Sequence, residues 1–441
     1  MLALLCACVC GSAAAGDWPA WRGPDGTGVS ADTNLPLTWG ANDGLRWRVA
    51  LPDRGNSTPI VCGDRVFVTQ AIEAEHRRTL MCFSRSGGRL LWQSGVTWPD
   101  AEPTNRQNPY CSASPVTDGR RVVAYFGSAG LHCYDFAGKE MWHRDVGKVD
   151  SWQGSGSSPM LYRQLCILNA GPGTNAALLA CNSDTGELVW TVTPPKGRGG
   201  AAPDGRAPTA KVGDFDGAMM AADPRGTGGF LGSWSTPVVA RSGGRDELLV
   251  VHPFDITAYD PQSGQELWTC GGLPEQAFAS PAVGEGIVVA TGHKVAGGGT
   301  RATAVKLGGD GDVTGTRRLW QTDLPHDFVG SGVITGGHVY LVNQFGSVVC
   351  LDLTSGRKVA ERRLTAKQGR RGSWSSIVLA GGKLLVPNQS GNVFVLTASP
   401  RLDVLAVNTL GDQTTCASLA VSNGNVFLRT YEALWCFGTP K

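Results

Sequence analysis

Short apolar runs alternate with glycine-rich polar turns along most of the chain, and one of these turns recurs together with its flanking residues. In residues 182–190, NSDTGELVW, Asp184-Thr185-Gly186 supplies a tight turn because glycine tolerates positive φ, and Trp190 follows as a large apolar anchor. The same phrase returns at 84–92 (SRSGGRLLW), 135–142 (DFAGKEMW) and 260–268 (DPQSGQELW), and more loosely at 310–320 and 352–359. A turn that recurs in this way predicts a repeat architecture.

The spacing of the repeats indicates what each one contains. A small apolar residue precedes each turn, at positions 82, 133, 180, 258, 304, 350, 395 and 436. Successive positions differ by 41 to 51 residues, apart from one step of 78 residues. The repeats open with Ser-Pro, Thr-Pro or a degenerate form, at 57–59, 113–115, 157–159, 235–237, 279–281, 331–333, 375–377 and 417–419. Eight repeats of about 40–50 residues with four strands each indicate the blades of a β-propeller.

The last repeat lacks a strand, and the first strand of the chain lacks a repeat. The eighth copy ends at 434–437 without a tryptophan-bearing fourth strand, whereas Leu45–Val49 carries Trp47 and belongs to no earlier copy. A ring must close, because an open edge strand favours aggregation. We therefore predict an all-β fold, a single eight-bladed β-propeller of four-stranded antiparallel blades over residues 45–441, closed by this N-terminal strand. A pair of β-sandwiches or two smaller propellers are the alternatives.

The N-terminal region precedes the repeats and has a different composition. Residues 1–16 are apolar and then small, and Ala13-Ala14-Ala15 offers a cleavage site, so we predict a signal peptide and a periplasmic or extracellular protein. Residues Leu5–Cys8 vaguely resemble a lipobox, which leaves a lipid anchor open. Residues 17–44 form a lead-in without strand alternation. No stretch is long and apolar enough to predict a transmembrane helix.

The charge of the chain bears on its partners, and its cysteines bear on disulfide bonds. The net charge is +2 and charged residues make up 17% of the chain, so we expect no nucleic-acid partner. We also expect a monomer. Four of the thirteen cysteines stand at the small apolar position before the turn, where other repeats have alanine or valine. Such a position predicts buried thiols, and equivalent positions in different blades lie too far apart to bridge, so we expect few disulfides.

One interval between repeats is longer than the others because it holds an insertion, residues 193–233. The insertion is rich in glycine, proline and alanine, but it also carries Phe215, Met219, Met220 and Phe230. A loop this long in a compact repeat is usually functional or disordered, and these apolar side chains favour a lid over the centre of the propeller.

The repeat also resembles a known family. The turn D-x-x-T-G-x-x-x-W, with Ala258-Tyr259-Asp260 as an example of the A-x-D before it, resembles the PQQ-type propeller repeat of quinoprotein alcohol dehydrogenases and of BamB-like outer-membrane assembly lipoproteins. The lead-in WPAWRGPDGTGVS and the stretches TDGRRVVAYFGSAGLHCYD, GGDGDVTG and NVFLRTYEALWCFG are similar to secreted, planctomycete-type PQQ-like propeller proteins. The resemblance covers almost all of residues 17–441. It implies the propeller fold and says little about activity.

The resemblance to quinoprotein dehydrogenases implies a set of groups that this chain offers only in part. Such an enzyme needs calcium held by oxygen ligands beside the quinone, a carboxylate base, a stacked tryptophan and, in the family, two adjacent cysteines. No two cysteines are adjacent here, and no motif singles out Asp255 or Asp327 as the base. We therefore predict no catalytic residue, no metal site and no cofactor, with PQQ and calcium kept open. A BamB-like assembly factor is a further alternative.

The segments just before the first strand of each blade converge on the central funnel of a propeller, where a ligand would bind. Here these segments are rich in aromatic residues, and Gly-Ser-Trp-Ser occurs twice, at 232–235 and 372–375. The ligand-binding candidates are Arg54, Tyr110, Trp152, Trp234, Phe278, Asp327, Phe328, Arg371 and Trp374. Aromatic rings beside serine and glycine suit a flat ligand, a glycan or a segment of a protein or peptide. Packing between blades also uses tryptophan and is the alternative.

Overall fold

The computed structural model describes residues 16–151, 153–194, 232–294, 298–366, 372–411 and 413–438. The described chain forms eight sheets, six with four strands and two with a fifth, short strand. The only helical segments among these residues are two 3-10 turns, Glu73–Glu75 and Gly127–Ala129. The sheets follow one another along the chain as blades 1 to 8, and the predicted all-β, eight-bladed propeller is confirmed.

Each blade is an antiparallel meander whose strands follow one another in sequence. Blade 1 consists of β3–β6 (Ile60–Cys62, Arg65–Ile72, Arg77–Ser84, Leu90–Thr97), and blade 2 consists of β7–β10 (Val116–Thr117, Arg121–Tyr125, Leu131–Asp135, Glu140–Arg144). Blade 3 consists of β11–β14 (Met160–Tyr162, Leu165–Ala170, Ala177–Asn182, Leu188–Val192), and blade 4 consists of β15–β18 (Val238–Ser242, Arg245–Val251, Asp255–Tyr259, Glu266–Gly271) with β22 (Gly311–Asp312) added in parallel.

The second half of the chain repeats this arrangement. Blade 5 consists of β19–β21 and β23 (Ala282–Gly284, Ile287–His293, Thr300–Lys306, Arg318–Leu324), and blade 6 consists of β24–β27 (Val333–Thr335, His338–Val342, Ser347–Asp352, Lys358–Arg363). Blade 7 consists of β28–β31 (Val378–Ala380, Lys383–Pro387, Val393–Thr397, Val404–Asn408) with β1 (Val29–Ser30), and blade 8 consists of β32–β34 (Ala420–Ser422, Asn425–Arg429, Ala433–Gly438) with β2 (Leu45–Ala50).

The N-terminal strand completes the last blade, as predicted. Strand β2 pairs antiparallel with β34, and Trp47 lies opposite Cys436 in the register. The buried Trp47 side chain also reaches blade 1, where its Nε1 donates a hydrogen bond of 2.7 Å to the carbonyl oxygen of Arg85. The largest apolar cluster contains residues of blades 7, 8 and 1 together with Trp18, Trp39 and Trp47. The first and last parts of the propeller therefore share one core.

The recurring turn explains how neighbouring blades dock. In blades 1 to 5 and 8 the small residue before the turn lies opposite the blade tryptophan, as Cys82 does opposite Trp92. In these blades, except blade 4, the turn glycine of the next blade packs on that indole: a Cβ added to Gly138 would lie 2.6 Å from a ring atom of Trp92. The indole Nε1 donates to the Phe136 carbonyl in the same turn, at 2.9 Å. Glycine is required there because φ is +87° and the ring leaves no space for a side chain.

The lead-in crosses the underside of the ring. The carbonyl of Pro19 accepts a hydrogen bond from Thr117 of blade 2, while the Arg22 side chain bonds to backbone carbonyls at the entrance of blade 6. Blades 2 and 6 lie opposite each other in a ring of eight, so the segment between these two residues spans the axis. It then leaves along blade 7, where β1 pairs in parallel with β28. The sequence predicted no strand in this lead-in.

Two predicted segments fall largely outside the described residues. The predicted signal peptide, residues 1–16, is described only at Gly16, and the predicted lid, residues 193–233, only at 193–194 and 232–233. All ten cysteines of the described chain are free thiols, and nine of them are buried. Among the described residues, no helix has the length and apolar character needed to cross a bilayer.

Candidate functional site

A closed ring of hydroxyl groups surrounds the propeller axis. The second residue of the Ser/Thr-Pro opening, or its equivalent, lies at the entrance of each first strand, and its backbone N–H donates to the hydroxyl oxygen of the corresponding residue in the next blade. Eight such bonds of 2.8–3.0 Å link Thr58, Ser114, Ser158, Thr236, Ser280, Ser331, Ser376 and Ser418, and the last one returns from Ser418 to Thr58. We call these eight residues the hydroxyl ring. It explains why the repeats open with serine or threonine.

A funnel opens above the hydroxyl ring and measures about 820 Å³ when the solvent-open space at its mouth is included. Seven of the eight ring residues line it from below, and the loops that precede the first strands line it from the sides. Trp21, from the lead-in, also borders this space and lies at its base, where the lead-in crosses the axis. The funnel is therefore a cavity with a floor.

The two Gly-Ser-Trp-Ser sequences bring tryptophans to the funnel wall by the same local bonds. In the first, Ser233 Oγ donates to the carbonyl of Val251, at 2.5 Å, and in the second, Ser373 Oγ donates to the carbonyl of Pro387, at 2.7 Å. These buried serines fix each loop to the second strand of its own blade, and the tryptophan that follows lies at the cavity. Trp234 is held further by a 2.9 Å hydrogen bond from its Nε1 to the Gly154 carbonyl.

The aromatic part of the wall consists of three rings. Trp234 and Phe278 lie with their ring centroids 4.9 Å apart, and Trp374 lines the funnel from blade 7. Trp234 is buried, whereas Phe278 and Trp374 are half-buried, so part of their surface faces the cavity. These rings provide flat apolar faces on which a planar ligand or a sugar ring can stack.

The opposite part of the wall is built from amide side chains. Asn56, Asn105, Gln107, Asn108 and Gln153 line the funnel, and hydrogen bonds hold several of them together. Asn105 caps its own loop by accepting the N–H groups of Gln107 and Asn108 at 2.8 and 2.9 Å, and Asn108 Nδ2 donates to the Gln153 carbonyl at 2.6 Å. Amides offer both donors and acceptors without charge.

No charged side chain lies among the described residues that line the funnel. The wall therefore combines aromatic faces, neutral amides and hydroxyl groups. Such a surface favours a neutral polar ligand with a flat or apolar face, because it can satisfy hydrogen bonds and bury apolar area together.

The structure brings three of the nine predicted binding residues to the funnel wall: Trp234, Phe278 and Trp374. Two others, Trp152 and Arg371, lie outside the described residues. The remaining four, Arg54, Tyr110, Asp327 and Phe328, lie in the loops before the first strands but not in the funnel lining.

Three of those four residues have structural contacts. Arg54 lies 3.8 Å from Glu73 in an ion pair at the surface. The hydroxyl of Tyr110 donates to the carbonyl of Glu102, and its ring packs 3.9 Å below the guanidinium of Arg78. Phe328 is buried in the apolar cluster between blades 5 and 6.

Asp327 belongs to a polar cluster outside the funnel lining. Its Oδ1 lies 2.9 Å from Nδ1 of His293, though out of line for a hydrogen bond, and its Oδ2 accepts a 2.7 Å hydrogen bond from Gln344. Burial lowers the pKa of His293, and the neighbouring carboxylate only partly offsets this effect. The His293 ring lies 5.7 Å from Phe278, so the cluster supports the aromatic wall from behind. The other candidate carboxylate, Asp255, is buried at the start of β17.

Sequence analysis did not predict the amide wall, the floor or the role of the repeat openings. The repeat openings did contain a signal for the hydroxyl ring, because a serine or threonine recurs once per blade. In the sequence these openings were used only to mark where each repeat begins. Asn105, Gln107 and Asn108 lie in the irregular loop before blade 2, whereas Asn56 and Gln153 lie in the loops before blades 1 and 3, so no recurring pattern pointed to the amide wall. Trp21 lies in a lead-in whose path across the ring depends on contacts with distant blades.

The comparisons with known proteins agree with the propeller fold. Residues 76–231 and 253–439 match a family described as outer membrane protein assembly factor BamB. The chain belongs to this BamB-like family of PQQ-type propellers. No curated protein matches the sequence.

Solved structures share the fold with the BamB-like chain at low sequence identity. BamB from Moraxella catarrhalis is similar with a TM-score of 0.57 and 14% identity, over 88% of this chain and 98% of that one. The computationally designed Ika8 protein is similar with a TM-score of 0.56 and 10% identity, over 90% of this chain and 99% of that one. A europium-containing methanol dehydrogenase is similar with a TM-score of 0.54 and 11% identity, over 96% of this chain and 98% of that one. These likenesses support the propeller fold.

The funnel lining does not fit a quinone cofactor with calcium. Calcium takes oxygen ligands that usually include carboxylates, and the described lining has only amide and hydroxyl oxygens. The candidate carboxylate Asp327 lies outside this lining, where its Oδ2 accepts a hydrogen bond from Gln344. In the described part of the chain, no group of three or more His, Cys, Asp or Glu residues could hold a metal ion. We therefore derive no catalytic step through PQQ.

Proposed function

We propose that this BamB-like propeller is an exported binding or scaffolding protein without catalysis of its own, and that its ligand binds in the central funnel. The ligand would be a glycan, a peptide or a segment of a protein. The observation that carries the proposal is the funnel wall, which sets three aromatic rings opposite neutral amides and has no charged side chain among its described residues.

Stacking on the aromatic rings supplies the apolar part of the proposed affinity. Trp374 is the ring best suited to this role, because it is half-buried and its removal leaves the core of blade 7 in place. Hydrogen bonds from Asn56, Gln107 and Gln153 would then orient the ligand. A rigid wall with few mobile side chains loses little entropy on binding.

The proposal is tested with immobilised glycans and peptides and the purified full-length protein. A ligand found in this way should bind Trp374→Ala about two- to twelvefold more weakly, since stacking on an aromatic ring contributes roughly 0.5–1.5 kcal/mol beyond the area that it buries. Phe345→Ala is the matched control, because Phe345 is an aromatic residue that is 46% exposed and lies outside the funnel lining. Equal affinities of the two variants would place the ligand elsewhere and contradict the proposal.

A BamB-like role in outer-membrane protein assembly is the second candidate. The family match over most of the chain favours it, and the partner would then be a protein of that assembly machinery. Co-purification with outer-membrane assembly components after mild cross-linking is expected under this alternative. Isolation of the exported protein alone would leave the funnel ligand as the better account.

A further inference from the structure

The lead-in bonds to the inner edges of several blades, and it does so at one equivalent position. The first strand of each blade pairs with the second strand on one side, so its other edge faces the central channel below the hydroxyl ring. Val61, three positions after the ring residue of blade 1, exchanges two hydrogen bonds of 2.8 Å with Trp18. The N–H of Thr117, at the same position in blade 2, donates to the carbonyl of Pro19 at 2.9 Å. In blade 7, β1 pairs with β28 at the same edge.

Blades 3 and 4 present the same edge to the channel. The residues at the equivalent position are Leu161 and Val239, and both are half-buried. Two-residue turns at 163–164 and 243–244 fix the register, so the backbone N–H and C=O groups of these two residues point away from the second strand and toward the channel. In the described part of the lead-in, no residue forms a backbone hydrogen bond with either of them.

These two edges border an apolar cleft between the lead-in and blades 2 to 4. The cleft measures about 890 Å³ when its solvent-open space is included. Trp21, Met160 and four prolines contribute to its described lining, in which Asp25 is the only charged residue. Water can satisfy the hydrogen bonds of the strand edges, but it does not remove this apolar surface from contact with solvent. The cleft therefore favours an occupant with apolar side chains.

The cleft is separate from the aromatic wall of the funnel. Trp21 borders both cavities, so the lead-in lies between them. Trp234, Phe278 and Trp374, which form the aromatic wall, do not line the cleft. A ligand of the cleft is therefore distinguishable from a ligand of the funnel by variants of either set of residues.

We propose that the cleft binds an extended segment of a partner protein, which adds to the inner edges of blades 3 and 4 as residues 18 and 19 add to those of blades 1 and 2. Two successive residues of the lead-in bond to two adjacent blades, so a short segment is sufficient to reach both Leu161 and Val239. Backbone hydrogen bonds hold such a segment, and apolar side chains packed on Trp21 and Met160 select it. An acidic side chain beside Asp25 is disfavoured by charge repulsion.

Selection of random heptapeptides on the immobilised full-length protein supplies the probe, and fluorescence anisotropy of capped synthetic copies measures affinity. We expect apolar peptides that bind Trp374→Ala as tightly as the wild-type protein and bind Val239→Pro about fivefold more weakly. Proline removes the N–H that faces the channel and leaves the bonds between the first two strands in place.

Val283→Pro is the matched control for this experiment. Val283 is the equivalent residue of blade 5 and is also half-buried, but it lies outside the cleft lining. Comparison of the two melting temperatures checks that both proline variants are folded. Equal weakening of peptide binding in the two variants, or recovery only of peptides that Val239→Pro binds normally, would overturn the proposal.

A test on the peptide does not depend on any protein variant. Each backbone nitrogen of a selected peptide is methylated in turn, which removes one N–H donor and leaves every side chain unchanged. Strand addition predicts a loss of about fivefold or more at the positions that donate to blades 3 and 4, and little change at positions whose N–H points away. Tolerance of methylation at every position would overturn strand addition.

Light scattering distinguishes a partner segment from a second copy of this chain. The proposal predicts a monomer in the absence of peptide. A dimer that dissociates in Val239→Pro and on addition of a selected peptide would assign the cleft to a second copy and contradict the partner assignment.

Discussion

The turn glycine of blade 1 offers a sharp test of how the N-terminal strand closes the ring. Gly88 has φ +68°, and a Cβ added there would lie 2.6 Å from a ring atom of Trp47, the tryptophan of the closing strand. Gly63 lies in the same blade with φ +57°, and a Cβ added there would meet no atom within 4 Å. The two glycines have similar backbone conformations but very different surroundings.

The surroundings of each glycine determine how much unfolding free energy its alanine variant should lose. An alanine at positive φ costs about 1–2 kcal/mol, which is the full expected effect of Gly63→Ala. Gly88→Ala adds a steric overlap with Trp47 worth about 1–3 kcal/mol, so its total is about 2–5 kcal/mol. Urea unfolding followed by far-ultraviolet circular dichroism measures both free energies of unfolding.

A double variant isolates the contact with the closing strand. Trp47→Leu shortens the side chain, so Gly88→Ala in that background should cost no more than Gly63→Ala. The coupling between positions 47 and 88 is then about 1–3 kcal/mol. If Gly88→Ala and Gly63→Ala destabilise the wild-type protein equally, Trp47 does not dock on blade 1 and the closure described here is wrong.

Two further predictions concern the stability of the propeller. Deletion of residues 17–50 removes the fourth strand of blade 8 and three tryptophans of the largest apolar cluster, so the melting temperature should fall sharply. An unchanged melting temperature would contradict the closure of the propeller by the N-terminal strand. His252 is buried, and burial lowers its pKa in the folded protein to about 4. In the unfolded chain this histidine is protonated as the pH falls through about 6.5, whereas in the folded protein it stays neutral until about pH 4. The free energy of unfolding should therefore be highest above about pH 6.5, and it should be about 2–3 kcal/mol lower at pH 4.5 when measured by urea unfolding. His252→Gln should reduce this pH dependence, and an unchanged profile would refute the assignment.

The sequence predicted the propeller because the pattern of each blade is local. A turn, a small residue and a tryptophan recur at fixed spacing, and Trp47 was recognisable as the missing member of that set. Trp234, Phe278 and Trp374 could be placed at the funnel because they precede first strands.

The remaining parts of the site depend on contacts between distant residues. Arg22 forms hydrogen bonds with carbonyls more than 300 positions away, which no periodicity encodes. Phe328 precedes a first strand like the funnel aromatics, yet it is buried in the core between blades. Position in the repeat thus indicates which segment reaches the funnel, and packing decides which side chain faces it.

Titration with PQQ and calcium, followed by a dye-linked oxidation assay, tests most directly the claim that the funnel binds without catalysis. The purified full-length protein is titrated while the fluorescence of its fourteen tryptophans, which include Trp234 and Trp374 in the funnel wall, is recorded. The titrated protein is then supplied with alcohols and sugars. The neutral funnel lining predicts no saturable quenching and no oxidation above the protein-free control. Saturable binding together with turnover, both reduced in Trp374→Ala, would contradict the account and assign the chain to the quinoprotein oxidoreductases.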